Sequence, residues 1–127
     1  MEPITMKVLP GSYCVHRLPP TGTIPDAVYR EAFFNITQTD KELSIVCDSQ
    51  VEIDSETSED GFTCMQVVGV LDFSLTGILA DITSSLSTAG ISIFALSTYN
   101  TDYILFKSVK LELARKSLQE SGYQVLE

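Results

Sequence analysis

From Phe62 to Leu126 the apolar residues keep changing period, and the order of those changes leaves few folds open. Phe62–Val70 (Phe-Thr-Cys-Met-Gln-Val-Val-Gly-Val) is rich in β-formers and reads as a strand. After the loop Leu71-Asp-Phe-Ser-Leu-Thr-Gly, the residues Leu79, Ile82, Leu86 and Ala89 recur at spacings of 3, 4 and 3, which is one face of a helix. Ser74 or Thr76 is placed to cap its start, and Gly90 to stop it. Ile91–Thr98 alternates as a strand, Tyr99-Asn-Thr-Asp is turn chemistry, and Tyr103–Lys107 returns as the second arm of a hairpin. Leu111, Ala114 and Leu118 mark a second helix closed by Gly122, and Tyr123–Leu126 is a last short strand. The order β-α-β-β-α-β is the split ferredoxin-like plan. It is an α+β fold, with a layer of strands and a layer of two helices burying one core between them.

The first half repeats that plan in shortened form. Thr76-Gly77 is followed by Thr101-Asp102 with Thr101 lying 24 residues after Gly77; Thr21-Gly22 is followed by Thr39-Asp40 with Thr39 lying 17 residues after Gly22. Each Thr-Asp precedes an apolar run, Tyr103-Ile-Leu-Phe in one copy and Leu43-Ser-Ile-Val in the other. A doubled signature in a short chain points to two copies of one supersecondary unit. The interval in the first copy is 7 residues shorter, about two helical turns, so its first helix is clipped. Ser12–Leu18 reads as a strand, Asp26–Glu31 as a short helix, and Phe33–Thr37 with Leu43–Cys47 as a hairpin. The acidic stretch after Asp48 has a weak apolar pattern, and no fourth strand is evident before Phe62. The expected organisation is two tandem units, a truncated one over residues 1–61 and a complete one over 62–127.

Charge narrows the choice of partners. The 127-residue chain carries 8 Lys and Arg against 17 Asp and Glu, a net charge of −9. Residues 48–60 read Asp-Ser-Gln-Val-Glu-Ile-Asp-Ser-Glu-Thr-Ser-Glu-Asp and hold much of the excess. Nucleic acids and anionic membrane surfaces need a positive footprint, so neither is an expected partner. No apolar run approaches the length of a membrane span. Met1-Glu-Pro-Ile-Thr has no basic region and no apolar core, so a signal peptide is not expected and the cytoplasm is the default location.

Catalytic and metal chemistry find little support. Cys14, Cys47 and Cys64 are odd in number and not closely spaced, which suggests neither a disulfide framework nor a zinc site. The acidic stretch lacks the ligand spacing and turn glycine of a calcium loop. His16 is the only histidine, and no nucleophile, base or cofactor loop accompanies it. The chain is expected not to be an enzyme and to need no metal or cofactor.

Two segments carry a resemblance. Val70-Leu-Asp-Phe-Ser-Leu-Thr-Gly-Ile-Leu-Ala and Gly90-Ile-Ser-Ile-Phe-Ala-Leu-Ser-Thr-Tyr-Asn-Thr-Asp-Tyr-Ile-Leu are similar to the ACT-domain family. They resemble in particular the small bacterial proteins with two tandem ACT-like units, related to the ACT repeats of the arginine sensor CASTOR. Leu18-Pro-Pro and Asp40-Lys-Glu-Leu-Ser-Ile-Val-Cys resemble the N-terminal unit of the same proteins, so the likeness runs from about Lys7 to Val125. The resemblance implies a regulatory module that binds an amino acid or another small ligand at an interface between units. It places Thr76, Gly77, Ile78, Thr98, Tyr99, Asn100, Thr101 and Asp102 at that ligand. The chain lacks the acidic residue that those sensors carry near Leu75 or Thr76, which counts against arginine itself.

The residues themselves leave two readings open. A helix starting at Ile78 offers unpaired N–H groups and a positive dipole end, Gly77 lets a carboxylate come close, and Asp102 can receive an ammonium group. Gly77 equally suits a tight turn into the helix, and Asn100-Thr101-Asp102 equally suits a hairpin turn that bonds its own backbone. A ligand-binding sensor acting on an unidentified regulated protein is the first expectation, with a homodimer as its assembly. The alternative is an ACT-like interaction module that works through oligomerisation without a ligand.

Overall fold

The structure, a computed structural model, describes residues 3–69 and 77–127. The chain divides into two compact units, residues 11–62 and residues 63–127 together with 1–10. The element order is β1 (Thr5–Val8), β2 (Tyr13–Leu18), β3 (Asn35–Gln38), β4 (Leu43–Asp48), β5 (Thr57–Val67), α1 (Ile78–Thr88), β6 (Phe94–Ser97), β7 (Asp102–Lys107), α2 (Leu111–Glu120) and β8 (Gln124–Leu126). Strand β5 runs through the boundary and serves both units.

In the unit of residues 63–127 and 1–10, the second half of β5, α1, β6, β7, α2 and β8 follow the expected β-α-β-β-α-β order. The ferredoxin-like α+β plan is present. Leu86 and Ile82 are fully buried on α1, and Ala114 and Leu118 on α2, at the spacings that define one helical face. Both helices stop in the same way. After α1, the Gly90 N–H bonds the Ser87 carbonyl at 2.9 Å and the Ile91 N–H bonds the Leu86 carbonyl at 3.0 Å. After α2, the Gly122 N–H bonds Gln119 at 3.0 Å and the Tyr123 N–H bonds Leu118 at 3.0 Å. These are Schellman ends, with glycine in the left-handed conformation and an apolar residue next to it returning to the core. Ile91 and Tyr123 both join the cluster of Met6, Met65, Val67, Ile104 and Phe106. Between the helices, Ser85 Oγ lies 3.0 Å from Ser117 Oγ and 2.9 Å from Ser121 Oγ.

The expected order did not include β1. Met6 pairs with Val67 across an antiparallel ladder, and with Val125 across a parallel one. The N-terminal strand is therefore inserted between β5 and β8, giving the order β8-β1-β5-β7-β6. Four residues with Lys7 exposed give no readable period, and only the pairing reveals the strand.

The unit of residues 11–62 has the strand order β3-β4-β2-β5, all neighbours antiparallel. This is the ferredoxin-like order with both helices reduced. Asp26–Arg30 is a 3-10 turn that buries Val28. Where the second helix would stand, residues 49–56 contain no helix. Val51 and Ile53 pack from that segment onto Leu18, Val28, Leu43, Ile45 and Cys47. The fourth strand, not evident from the sequence, is the first half of β5, where Thr57, Ser58 and Glu59 pair with Arg17, His16 and Val15. Its residues from Thr57 to Asp60 are exposed, so no apolar alternation announces it.

Candidate functional site

The end of β5 lies beside the turn that carries Thr98, Tyr99, Asn100, Thr101 and Asp102. Thr101 is buried and donates its hydroxyl to the Val67 carbonyl at 2.6 Å. At the other end of the same strand pair, the Thr63 and Ser108 hydroxyls lie 2.8 Å apart. The two contacts fix β7 antiparallel to β5, with the β6–β7 turn beside the residue where β5 ends.

That turn is closed by its own side chains. The Thr98 N–H bonds the Thr101 carbonyl at 2.8 Å, the Thr98 hydroxyl donates to the same carbonyl at 3.1 Å, and the Thr101 N–H donates to the Thr98 hydroxyl at 3.3 Å. One residue outward, Ser97 and Asp102 are register partners, and the Ser97 hydroxyl donates to an Asp102 carboxylate oxygen at 2.6 Å. Asp102 is half-buried, Thr98 and Asn100 are exposed, and Tyr99 at the tip is 81% exposed.

Helix α1 begins at the same end. It has 11 residues, about 16 Å of helix. Its last turn leads through residues 89–93 to Phe94, which pairs with Leu105 at the far end of the hairpin from Ser97 and Asp102. The helix thus runs back along the strands, with Gly77 at the turn's end. The sequence alone did not place the end of β5, the start of α1 and the β6–β7 turn at one end of the unit; the strand order does. Gly77 is the N-cap, with φ +84° and no side-chain cap bond. Its carbonyl accepts the Asp81 N–H at 2.8 Å, so the N–H groups of Ile78, Leu79 and Ala80 precede the first helical bond. Ile78 is half-buried against the core cluster. Thr76 lies outside the described residues.

The arrangement sorts the predicted residues by direction. Thr101 faces inward and its hydroxyl holds the turn to β5. Asp102 and the first N–H groups of α1 supply a carboxylate and a cluster of donors at one end of one unit. Deeper in α1, Asp81 accepts a hydrogen bond from the Tyr123 phenol, and burial together with that bond pushes the phenol's pKa up. Burial, and then the neighbouring Cys64, raise Tyr103 in the same direction.

One feature of the surface had not been expected. Ala80, Thr83, Ser84 and Ser87 line an open groove with Ile91, Ser92 and Ile93, of about 580 Å3. Its signal was the run of small residues at spacings of three and four on the helix face away from Ile82 and Leu86. Among the described residues, no cluster of His, Cys, Asp and Glu has the geometry to hold a metal ion, and no helix is long and apolar enough to cross a membrane.

Known proteins place the fold. Residues 57–120 match the family model described as the ACT domain, and residues 11–54 match a model described as an N-terminal domain. No curated protein matches the chain. A crystal structure of a protein from Agrobacterium tumefaciens is similar over 99% of this chain and 94% of that one, at 37% identity and a TM-score of 0.89. A Vibrio cholerae protein described as of unknown function and a possible transport protein is similar over 92% and 88%, at 19% identity and a TM-score of 0.70. The ligand-free regulatory subunit of aspartate kinase from Thermus thermophilus is similar over 91% and 96%, at 11% identity and a TM-score of 0.63. The last two share the fold.

Proposed function

The chain belongs to the ACT-domain family, and from that premise we propose that it is a sensor of an amino acid or a similarly small charged molecule. ACT domains are regulatory modules, and the site proposed here is the end of β5. The observation that carries the reading is the Thr101–Val67 bond, which holds the Asp102 turn at the end of the unit where α1 starts. A ligand carboxylate is received by the first N–H groups of α1 over Gly77, and its ammonium group by Asp102. Thr76, Ile78, Thr98, Tyr99 and Asn100 complete the surround. Tyr99 stands in solvent at the edge of this site, and an ACT unit of a second copy supplies the missing wall. In this reading the protein is a homodimer that works in the cytoplasm and passes the ligand signal to a separate protein. The relation to the tandem units of the CASTOR sensor belongs to the same proposal, with residues 11–62 as the trimmed unit.

A thermal-shift panel of the standard amino acids and common nucleotides tests it, with Asp102→Ala alongside. Ligand at about 100 times its dissociation constant stabilises a fold by roughly 2.7 kcal/mol, several degrees for a chain of this size. A shift for one compound that disappears in Asp102→Ala establishes the sensor and names the ligand. Silence across the panel at millimolar concentration replaces the sensor with an interaction module that acts through oligomerisation.

A further inference from the structure

Residues 82–101 hold no charged side chain, although 20% of the chain is charged and its net charge is −9. Asp81 and Asp102 bracket the stretch, and each accepts a hydroxyl from its own unit, Asp81 from Tyr123 and Asp102 from Ser97. All of these residues belong to the unit of residues 63–127 and 1–10. The stretch includes the groove where Thr83, Ser84 and Ser87 of α1 face Ile91, Ser92 and Ile93, and the whole of β6, which follows directly from Ile93. Helix, groove and strand make one uncharged flank.

Strand β6 is the edge of the sheet on that flank, and among the described residues it pairs with β7 alone. The bond from the Thr98 N–H to the Thr101 carbonyl fixes the phase of the ladder. Hydrogen-bonded and non-hydrogen-bonded pairs alternate in an antiparallel ladder. Leu96 with Tyr103 and Phe94 with Leu105 are therefore the bonded pairs, and Ala95 and Ser97 turn their N–H and C=O groups outward. Ala95 and Ser97 are exposed, and Leu96 between them is half-buried. Native sheets guard an open edge with a charge, a proline or a bulge. Phe94-Ala-Leu-Ser has no charge and no proline, and its register with β7 is unbroken.

We propose that β6 pairs antiparallel with β6 of a second copy of this chain, about a two-fold axis at Leu96, with the two α1 flanks facing each other beside the pair. The edge itself selects the occupant. Its two outward-turned residues are two apart, so in an antiparallel self-pairing Ala95 stands opposite Ser97 of the partner subunit, and Ser97 opposite Ala95 of the partner subunit. Each such pair exchanges both of its N–H to carbonyl bonds, which satisfies every outward group of the edge. The contact uses the same surface on both copies, as a closed two-fold dimer requires. Charge agrees with it. Two copies at −9 repel one another, and a flank without charges is where they approach at least cost. The inference rests on the two-copy assembly proposed above and names its surface.

Mass by light scattering at micromolar concentration, amide exchange and cross-linking test it together. The wild-type protein is expected to be a dimer that tightens as salt rises, because salt screens the repulsion between copies and the flank has no ion pair to weaken. The Ala95 and Ser97 amides point away from β7, so they are expected to exchange slowly in the dimer and rapidly in a monomer. Ala95→Lys guards the edge and Ser84→Glu charges the helix flank. Both positions are exposed, a cooperative melting transition confirms that each variant folds, and each is expected to be a monomer with rapid exchange at both amides. Leu96→Cys sets two thiols opposite each other at a non-hydrogen-bonded position, where the Cα atoms stand about 4.5 Å apart, within reach of a disulfide. Mild oxidation with diamide is expected to give a covalent dimer of that variant and none of the wild type, whose three cysteines are buried. A wild-type monomer overturns the inference. A dimer that persists in Ala95→Lys, that leaves both amides rapidly exchanging, or that gives no Leu96→Cys cross-link overturns this surface and leaves the two-copy assembly standing. The ligand panel reads the sensor proposal separately from all of these.

Discussion

Thr101 reaches from the β6–β7 turn to the last residue of β5 and gives its hydroxyl to the Val67 carbonyl at 2.6 Å. Without that bond the Val67 carbonyl loses a hydrogen bond, and the turn that carries Asp102 loses its side-chain tie to β5. Replacing Thr101 by Val keeps the shape and removes the donor. Leaving one buried partner unsatisfied costs about 1–3 kcal/mol, so thermal unfolding is expected several degrees lower. Thr101→Ser, which keeps the hydroxyl, is expected to lose less. Equal losses in the two variants would assign the effect to the methyl group instead.

Gly77 has φ +84°, and among the described residues nothing lies within 4 Å of where a Cβ would stand. The cost of Gly77→Ala is therefore backbone strain and not a clash, about 1–2 kcal/mol. Calorimetry on the variant should show a modest drop in melting temperature. A variant as stable as the parent would mean that the start of α1 is not held in the left-handed conformation.

Met6 is fully buried in the core of the unit formed by residues 63–127 and 1–10. Met6→Ala is expected to cost about 2–5 kcal/mol, in line with other large-to-small core changes. A chain starting at Phe62 would lose β1 altogether and leave the β5 and β8 edges that it separates without partners. Such a fragment is expected to show no cooperative thermal transition. A sharp transition near that of the full chain would show that β1 is dispensable.

His16 is 7% exposed, with Nδ1 at 3.0 Å from the Ser55 hydroxyl and Nε2 without a hydrogen-bond partner among the described residues. Burial lowers its pKa below 6.5, and the charge of Asp60 opposes that only in part. The unfolded chain thus takes up its proton at a higher pH than the folded one. The stability due to neutral His16 is complete above pH 6.5 and is lost as the pH falls from there toward the lowered value. The slope from this group is at most about 1.4 kcal/mol per pH unit. Denaturant titrations in that window should show a shallower pH dependence for His16→Phe than for the parent; parallel curves would clear His16 of the effect.

Burial pushes the Cys64 thiol up to about 12. Burial first, and then the charges of Cys14, Glu31 and Asp48, push Cys47 up to about 11. Thiolate is the reactive form, so both should resist alkylation in native buffer at mildly alkaline pH and react once denaturant is added. Rapid native labelling of either, mapped by mass spectrometry, would show that its strand opens.

Much of the fold is legible in the order of residues because it depends on local period. Leu79, Ile82 and Leu86 give α1, Leu111, Ala114 and Leu118 give α2, and Gly90 and Gly122 mark their ends, since each signal lies within a few turns of chain. The alternation in Ile91–Lys107 gives a hairpin, although β6 begins only at Phe94. The strands that were missed have no such signal. Thr57–Asp60 is exposed, so it carries polar and acidic residues with no alternation to read. Thr5–Val8 is too short to show a period and is a strand only because of what it pairs with.

The candidate site divides along the same line. Sequence named Gly77 and the Thr98–Asp102 turn as residues of interest, but did not bring the end of β5 and that turn to one end of a unit. Hydrogen bonds between Thr101 and Val67 and between Thr63 and Ser108 did that, each joining residues far apart in the chain. The sequence by itself determined the β-α-β-β-α-β succession, the buried helix faces and the acidic character of residues 48–60, because period and charge are properties of neighbours. Only the tertiary structure decided that β1 enters between β5 and β8, that β5 serves both units, and which of the turn's side chains face inward. Those outcomes are set by strand pairing and burial, where distant residues compete for the same ladder and the same core, and no local pattern records which of them wins.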